Sequence, residues 1–398
     1  MPIHDVGYRR WQGTQSGFGT RWIAITNKGF EIAFRSQWVR RMMFLAWLPA
    51  IYFGAALFFF ERTFENREIF NAVAELNQAA EMAERGVHAA QGFDDDDDEA
   101  RPPGAPARPR IDLGPEGLDT EQKRRNATMR MLSRTPLLGG LVALLGGSGS
   151  EEVFDAIVSQ DDTKLRRVVW SWFILKFITT PQGFALLLLI GWVAPPMIAK
   201  DLRTKAFLLY FSRPLSKFSY ILGKLMVLVV MCSMITTLPA LILYGCGIAL
   251  SPNLTPLYAT WDLPLRIIVV GLMHSIPASL LALMLSAITT ESRYAMFGWY
   301  ATWTLGFVTW RILSLAYLSQ NQDEGGDVPF DPLAPLALED GGGWIYVSLY
   351  DSISLVQSLG MGVGDFNLQA QLACVMLPLV SLSCFAIIWR QLSRATLG

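Results

Sequence analysis

A chain of 398 residues that is 52% hydrophobic and only 17% charged falls short of the roughly 25% charged residues of a soluble domain. The deficit is uneven: 184–198, 225–250 and 267–289 hold no Asp, Glu, Lys or Arg, whereas 61–168 is strongly polar, so the mean hydropathy of +0.32 averages membrane spans with a large insert. The net charge of −1 selects no partner, no nucleic-acid partner is expected, and Cys232, Cys246, Cys374 and Cys384 sit in apolar segments without zinc or redox spacing, so no metal site is expected either.

The N-terminus, 1–41, carries Arg9, Arg10, Arg21, Lys28, Arg35, Arg40 and Arg41. Within it, 21–41 has the pattern of an amphipathic helix, with Ile23, Phe30, Phe34 and Trp38 near one face. Such a helix is expected in the interface with its apolar stripe in lipid; a soluble helix packed on a partner is the alternative. The first apolar run begins near Met42, after this basic stretch, so it is expected to persist as an anchor rather than be cleaved.

A bilayer core about 30 Å thick needs about 20 apolar helical residues. Six segments qualify: 42–60, 171–195, 222–250, 267–289, 294–317 and 370–389. Helices satisfy their own backbone, and the alternation of barrel strands is missing. The fold class is therefore an all-α integral membrane protein with six transmembrane helices, an N-terminal amphipathic helix and a short helix before the last span. Lys200, Arg203, Lys205, Arg213, Lys217, Lys224, Arg293, Arg390 and Arg394 join the N-terminal cations on one side, while 251–266 and 318–369 on the other contain only Arg266. The positive-inside rule then puts both termini in the cytoplasm, the last being a 390–398 tail. Lys176 and Arg311 lie near the outer ends of their spans, where snorkelling accounts for them and a substrate path is the alternative. His274 beside Ser275 reads as a contact to a neighbouring helix or a point on a route.

The polar 61–168 forms an external insert. Its 64–90 part is Ala/Glu-rich and helical in character, and 151–170 is helical again. Between them, the acid run 94–99 and the proline-rich 101–110 predict a disordered, solvated tether, since the acids lack the spacing of a calcium loop. The apolar 137–145 is too short to span. A second external segment, 318–369, starts acidic and becomes apolar with helical spacing from Trp344 to Val356; its interspersed Ser, Asp and Gln fit a short interfacial or re-entrant helix.

Between spans two and three, 196–221 forms a cytoplasmic segment. Pro195 and Pro196 interrupt span two, Asp201 is expected near the N-terminus of a new helix, and Arg213-Pro214 ends it. By composition such a helix either receives force from a soluble partner or binds anionic lipid heads. The segment resembles the first cytoplasmic loop of ABC-2-type permeases, in which an acidic residue precedes a short helix ending in Ser-Arg-Pro and then Tyr-x-x-Gly-Lys. The matching positions are Asp201, Arg203, Thr204, Leu208, Ser212, Arg213, Pro214, Tyr220, Gly223 and Lys224; the departure is Asp201-Leu-Arg-Thr204 where many relatives have Glu-x-x-x-Gly-Thr. The resemblance also takes in the N-terminal helix, the six-span order and the external helix before the last span.

That family implies a permease whose loop docks on an ATPase subunit. Asp201, Arg203, Thr204, Leu208, Arg213 and Pro214 become the coupling contacts, with Ser292 and Arg293 as secondary ones. No G-x-x-x-x-G-K-[ST] loop occurs in the chain, so ATP and magnesium are expected on separate ABC ATPase subunits and no cofactor in this chain. A second permease copy or a related permease, the lipid bilayer, and an external partner at 61–168 complete the expected contacts. The resemblance places the protein in the bacterial inner membrane. An embedded enzyme would need facing His, Asp or Glu in the spans, which supply almost none. A scaffold relaying ATPase work to an external partner, without a transported substrate, is the other alternative.

Overall fold

The computed structural model describes residues 20–65, 152–153, 156, 162–206, 215–251, 255–321, 348–364 and 366–395. Expectations for 1–19, for most of 61–161 and for 322–347 lie outside the described residues. The elements are α1 (Arg21–Arg35), α2 (Gln37–Glu65), α3 (Asp162–Phe177), a π-turn (Ile178–Gln182), α4 (Gly183–Val193), α5 (Pro195–Arg203), α6 (Lys217–Ile235), α7 (Thr237–Leu250), α8 (Thr255–Ala259), α9 (Leu263–Ile288), α10 (Ser292–Asn321), α11 (Leu349–Met361) and α12 (Leu368–Ala395).

Among the described residues five helical units are long and apolar enough to cross a membrane: Gln37–Arg62, Thr163–Arg203, Lys217–Leu250, Leu263–Ile288 and Leu368–Arg394. This is a multi-pass, all-α membrane protein, and these units contain five of the six expected spans. The remaining expectation, 294–317, coincides with α10, whose length of about 45 Å at ~1.5 Å per residue suffices to cross. Its Trp, Tyr, Thr and Gly content keeps it out of the apolar set.

Helix α9 is the centre of the bundle. Leu283 and Ala287 join Ile190, Val227, Leu228, Trp299 and Ile388 in one core cluster, while Ile267 and Val270 join Phe53, Phe173, Phe177 and Tyr244 in a second. Small residues permit the closest crossings. A Cβ on Gly191 would come within 2.6 Å of both the Trp299 and Tyr300 side chains, so α4 and α10 meet there and nowhere more tightly than glycine allows. The Trp299 indole and Tyr300 hydroxyl donate to the Leu187 and Leu188 carbonyls at 2.9 and 3.4 Å.

The amphipathic segment is divided. Ser36 is extended (φ −70°, ψ 122°), which ends α1 at Arg35 and places Trp38 on α2 instead of on the expected common face. Ile25, Phe30, Ala33 and Phe34 pack against the protein core, while Ile23 and Ile32 stay exposed. A second face, of small residues, therefore governs α1: Thr26 donates to the Gly223 carbonyl at 3.1 Å, and Gly29 lies directly against Val227. On the exposed side Lys28 and Arg35 each pair with Glu31 at 2.8 Å, and the Lys28 hydrogen bond foremost holds that carboxyl below the usual range.

The short helix before the last span, α11, is inserted into the bundle. Ser348 caps it by accepting from the Asp351 N–H, and Gly362, at φ +77°, ends it in the left-handed region. It runs antiparallel to α9: Tyr350 reaches the π-turn, donating to the Thr179 carbonyl at 2.9 Å, Gln357 reaches the Val270 carbonyl, and the C-terminal end meets Arg266. The helix thus packs against α9 and the π-turn.

At the end of the bundle away from α5, several charges share partners or are buried. Asp262 Oδ2 accepts from Arg167 and Arg266, each at 2.7 Å, and Arg266 also donates to the Gly360 carbonyl. Glu61 pairs with Arg166 at 3.2 Å and accepts from the Trp170 indole at 2.7 Å, all three being buried.

Gly223 tests the α1–α6 crossing. A Cβ there would meet Ile25 Cβ at 2.8 Å and the Trp22 carbonyl at 3.1 Å, whereas one on Gly245 meets nothing within 4 Å. Gly223→Ala is expected to lower stability by about 1–3 kcal/mol, read as an earlier thermal transition in detergent, with Gly245→Ala neutral or slightly stabilising.

Candidate functional site at the basic end

Two consecutive prolines, Pro195 and Pro196, begin α5 just past a bend at Ala194. Proline suits the first helical turn because it has no N–H to leave unpaired, but the bend opens the backbone ladder beyond it. Ser286 of α9 fills the gap. Its Oγ accepts from the Ile198 and Ala199 N–H groups at 3.1 and 3.0 Å and donates to the Pro195 carbonyl at 2.7 Å. One buried hydroxyl thus replaces a broken turn and fixes α5 to the central helix.

The second anchor is ionic. Asp201 Oδ2 accepts from the Tyr220 hydroxyl at 2.7 Å and pairs with Lys224 at 3.0 Å. Lys224 in turn donates to the Met197 carbonyl at 2.8 Å and lies over the Tyr220 ring, 5.5 Å from its centroid. Both charged side chains are only 15% exposed, and Tyr220 is fully buried. The carboxylate sits in the last turn of α5, not at the start of a helix as the sequence led one to expect, because the helix begins at Pro195 and already ends at Arg203. Its position owes nothing to the helix dipole; Tyr220 and Lys224 hold it.

Beyond these anchors the surface turns outward. Arg203 is 56% exposed and 3.4 Å from Glu291, and Thr204 Oγ1 donates back to the Lys200 carbonyl at 3.0 Å. Lys205 takes a left-handed backbone (φ 52°), which turns the chain out of α5. Glu291, Ser292 and the exposed Arg293 lie at the start of α10, brought beside α5 by the Arg203–Glu291 pair. Asp201, Arg203, Thr204, Ser292 and Arg293 therefore gather at one end, with Asp201 turned inward and the others toward the surface. Leu208, Ser212, Arg213 and Pro214 lie outside the described residues.

Ser286, the Tyr220–Lys224 pair and Glu291 were not singled out as interacting from the sequence. Ser286 is one hydroxyl in an apolar helix, and nothing local marks which serine faces a proline bend. Away from this end, His274 is buried with its ring stacked on Trp303 at 7° and 6.4 Å between centroids. Among the described residues no group of three or more His, Cys, Asp or Glu is arranged to hold a metal ion. The four cysteines are free thiols, Cys232 and Cys384 buried and Cys246 exposed.

Removing one charge of the Asp201–Lys224 pair strands the other in a largely covered position. Asp201→Asn is expected to cost about 1–3 kcal/mol and Tyr220→Phe about 1 kcal/mol. A double-mutant cycle of Asp201→Asn with Lys224→Met, followed by thermal or denaturant unfolding in detergent, should return a coupling of about 1–2 kcal/mol; additive effects would show that the two side chains do not act as a unit.

Comparison of the chain with protein-family models, with curated proteins and with solved structures finds no match.

Proposed function

We propose that the chain is the membrane-spanning permease subunit of an ATP-binding cassette transporter of the ABC-2 type, moving a substrate with ATP hydrolysed on a separate subunit. The observation that carries this reading is the state of α5. A contact that transmits force must be stiff toward its own domain and accessible toward its partner. Ser286, Tyr220 and Lys224 supply the stiffness, and Arg203 and Thr204 supply the accessible surface.

In this reading the α5 end faces the cytoplasm, following the excess of Lys and Arg there. Helix α10 is the sixth span, both termini are cytoplasmic, and the cell membrane is the location. Two permease chains (identical or related) pair with two ATPase subunits that bind ATP and magnesium. Arg203, Thr204, Leu208, Arg213 and Pro214 form the docking surface with help from Ser292 and Arg293, while Asp201 keeps the docking helix rigid. ATP binding biases a two-state equilibrium because the ATPase pair engages α5 differently when closed. Since Thr163–Arg203 is one helical unit, displacement of α5 is carried toward the opposite end.

The test is recovery of an ATPase. Purified from native membranes in mild detergent, the wild-type chain is expected to bring down an ATP-binding subunit, and Arg203→Glu/Arg213→Glu to reduce that recovery about tenfold, the effect of ~1.4 kcal/mol at an interface. Absence of any ATPase from an intact wild-type preparation would remove this reading. An ATPase that stays bound while no cargo moves in reconstituted vesicles would favour the scaffold alternative.

A further inference from the structure

Helix α2 is two-sided along its length. With about 3.6 residues per turn, Arg41, Phe44, Leu48, Ile51 and Tyr52 recur on one side, while Val39, Met43, Ala46, Phe53 and Leu57 recur on the other. The second set is buried in the bundle and the first is exposed, Phe44 by 75% and Ile51 by 72%. The exposed stripe ends at a shallow groove around the α1–α2 elbow, lined by Gln37, Trp38, Arg40 and Arg41. The Arg41 guanidinium stands 5.9 Å from the Trp38 ring centroid, and the half-exposed Trp192 of α4 lies 6.5 Å from Trp38. Among the described residues neither Arg40 nor Arg41 has a carboxylate partner, in contrast to Lys28 and Arg35, which share Glu31.

We infer that this face of α2 is a binding site for one anionic phospholipid, its phosphate held by Arg40 and Arg41 beside Trp38 and its acyl chain laid along Phe44, Leu48, Ile51 and Tyr52. The dimensions agree. Arg41 and Tyr52 are separated by about 16 Å of helix at ~1.5 Å per residue, close to half of a ~30 Å hydrocarbon core, hence to the depth of one leaflet. Two guanidiniums within one turn favour an anionic headgroup over a zwitterionic one, and guanidinium matches phosphate in hydrogen-bond geometry. The indole rings occupy the interfacial level where tryptophan is enriched. A second copy of the chain is a poorer occupant. Related by a two-fold axis along the membrane normal, its own Arg40 and Arg41 would arrive at the same depth, against their counterparts. The site rests on the chain being a membrane protein and is independent of whether it transports anything.

The full chain in detergent, titrated with phosphatidylglycerol or phosphatidylcholine of identical acyl chains and followed by native mass spectrometry, decides the matter. Wild type is expected to hold one phosphatidylglycerol about tenfold more tightly than phosphatidylcholine, with the difference shrinking as ionic strength rises. Arg40→Gln/Arg41→Gln should remove the difference, while the charge-matched Lys28→Gln/Arg35→Gln retains it. Should the double variant not purify, Arg41→Gln alone is expected to reduce the preference about threefold. Equal affinity of wild type for the two lipids overturns the inference without any variant. So does an undiminished preference in Arg40→Gln/Arg41→Gln, displacement of the lipid by millimolar inorganic phosphate, which would mark a free-anion site, or a disulfide between copies of Leu48→Cys formed in native membranes, which would show a second chain on this face.

Discussion

Hydrocarbon offers no water to a backbone N–H or carbonyl, so each interruption of a spanning helix must be repaired by the protein itself. This chain interrupts its spans repeatedly, and most of the repairs are contacts that join one helix to another. Pro195 and Pro196 open a turn that the Ser286 hydroxyl closes. The π-turn containing Pro181 frees the Thr179 carbonyl, which takes the Tyr350 hydroxyl. Pro49 disturbs α2, and the neighbouring Ala46 carbonyl accepts from Gln182 at 2.7 Å. The break at Thr236 is closed by its own hydroxyl on the Cys232 carbonyl. Three of these kinks are therefore also ties: α5 to α9, the π-turn to α11, and α2 to the π-turn.

These ties divide the molecule by kind of interaction. At the α5 end they are few and directed, a hydroxyl bridge and one covered ion pair, and they leave Arg203 and Arg293 at the surface. At the opposite end they are charged and shared among several elements: Asp262 serves both Arg167 and Arg266, and Arg266 continues to the carbonyl end of α11. Glu61 and Arg166 are buried as a pair, so separating them would forfeit an attraction strengthened by their burial. Any change of shape that opens the far end must break these pairs together, which favours two discrete arrangements over a gradual one. The proposed two-state mechanism needs such a property, and the same pairs would set how strongly the closed arrangement is preferred.

Legibility in the sequence followed the strength of the local signal. The five apolar units were readable because nearly every residue in them is hydrophobic, and α10 was readable as a helix although its aromatic and hydroxylic residues hide its role. The packing of α1 was not. The large residues Ile23, Phe30 and Phe34 indicated one stripe, yet Thr26 and Gly29 decide the docking by allowing close approach, and small residues carry no hydrophobic signal. At the candidate site the charges of Asp201 and Lys224 were visible, but their pairing depends on how α5 and α6 pack together, which no periodicity encodes. Ser286 was invisible for a related reason: its importance comes from prolines about ninety positions away that meet it only in the folded bundle.

The motif positions Tyr220, Gly223 and Lys224 then acquire a physical reading that needs no appeal to a docking partner. On α6, Tyr220 and Lys224 are one turn apart and both turn toward Asp201, while Gly223 lies about 80° round the helix from them and admits α1. A single turn of α6 thus holds α5 through Tyr220 and Lys224 and α1 through Gly223. Enlarging Gly223 would push α1 away; shortening Lys224 would loosen α5. Because the two grips share one rigid turn, a displacement of α5 is felt by α1, and through Ser36 by the start of α2 where Arg40 and Arg41 stand. The proposed lipid site and the proposed coupling surface are therefore connected through one turn of α6, its contact with α1, and α1 itself.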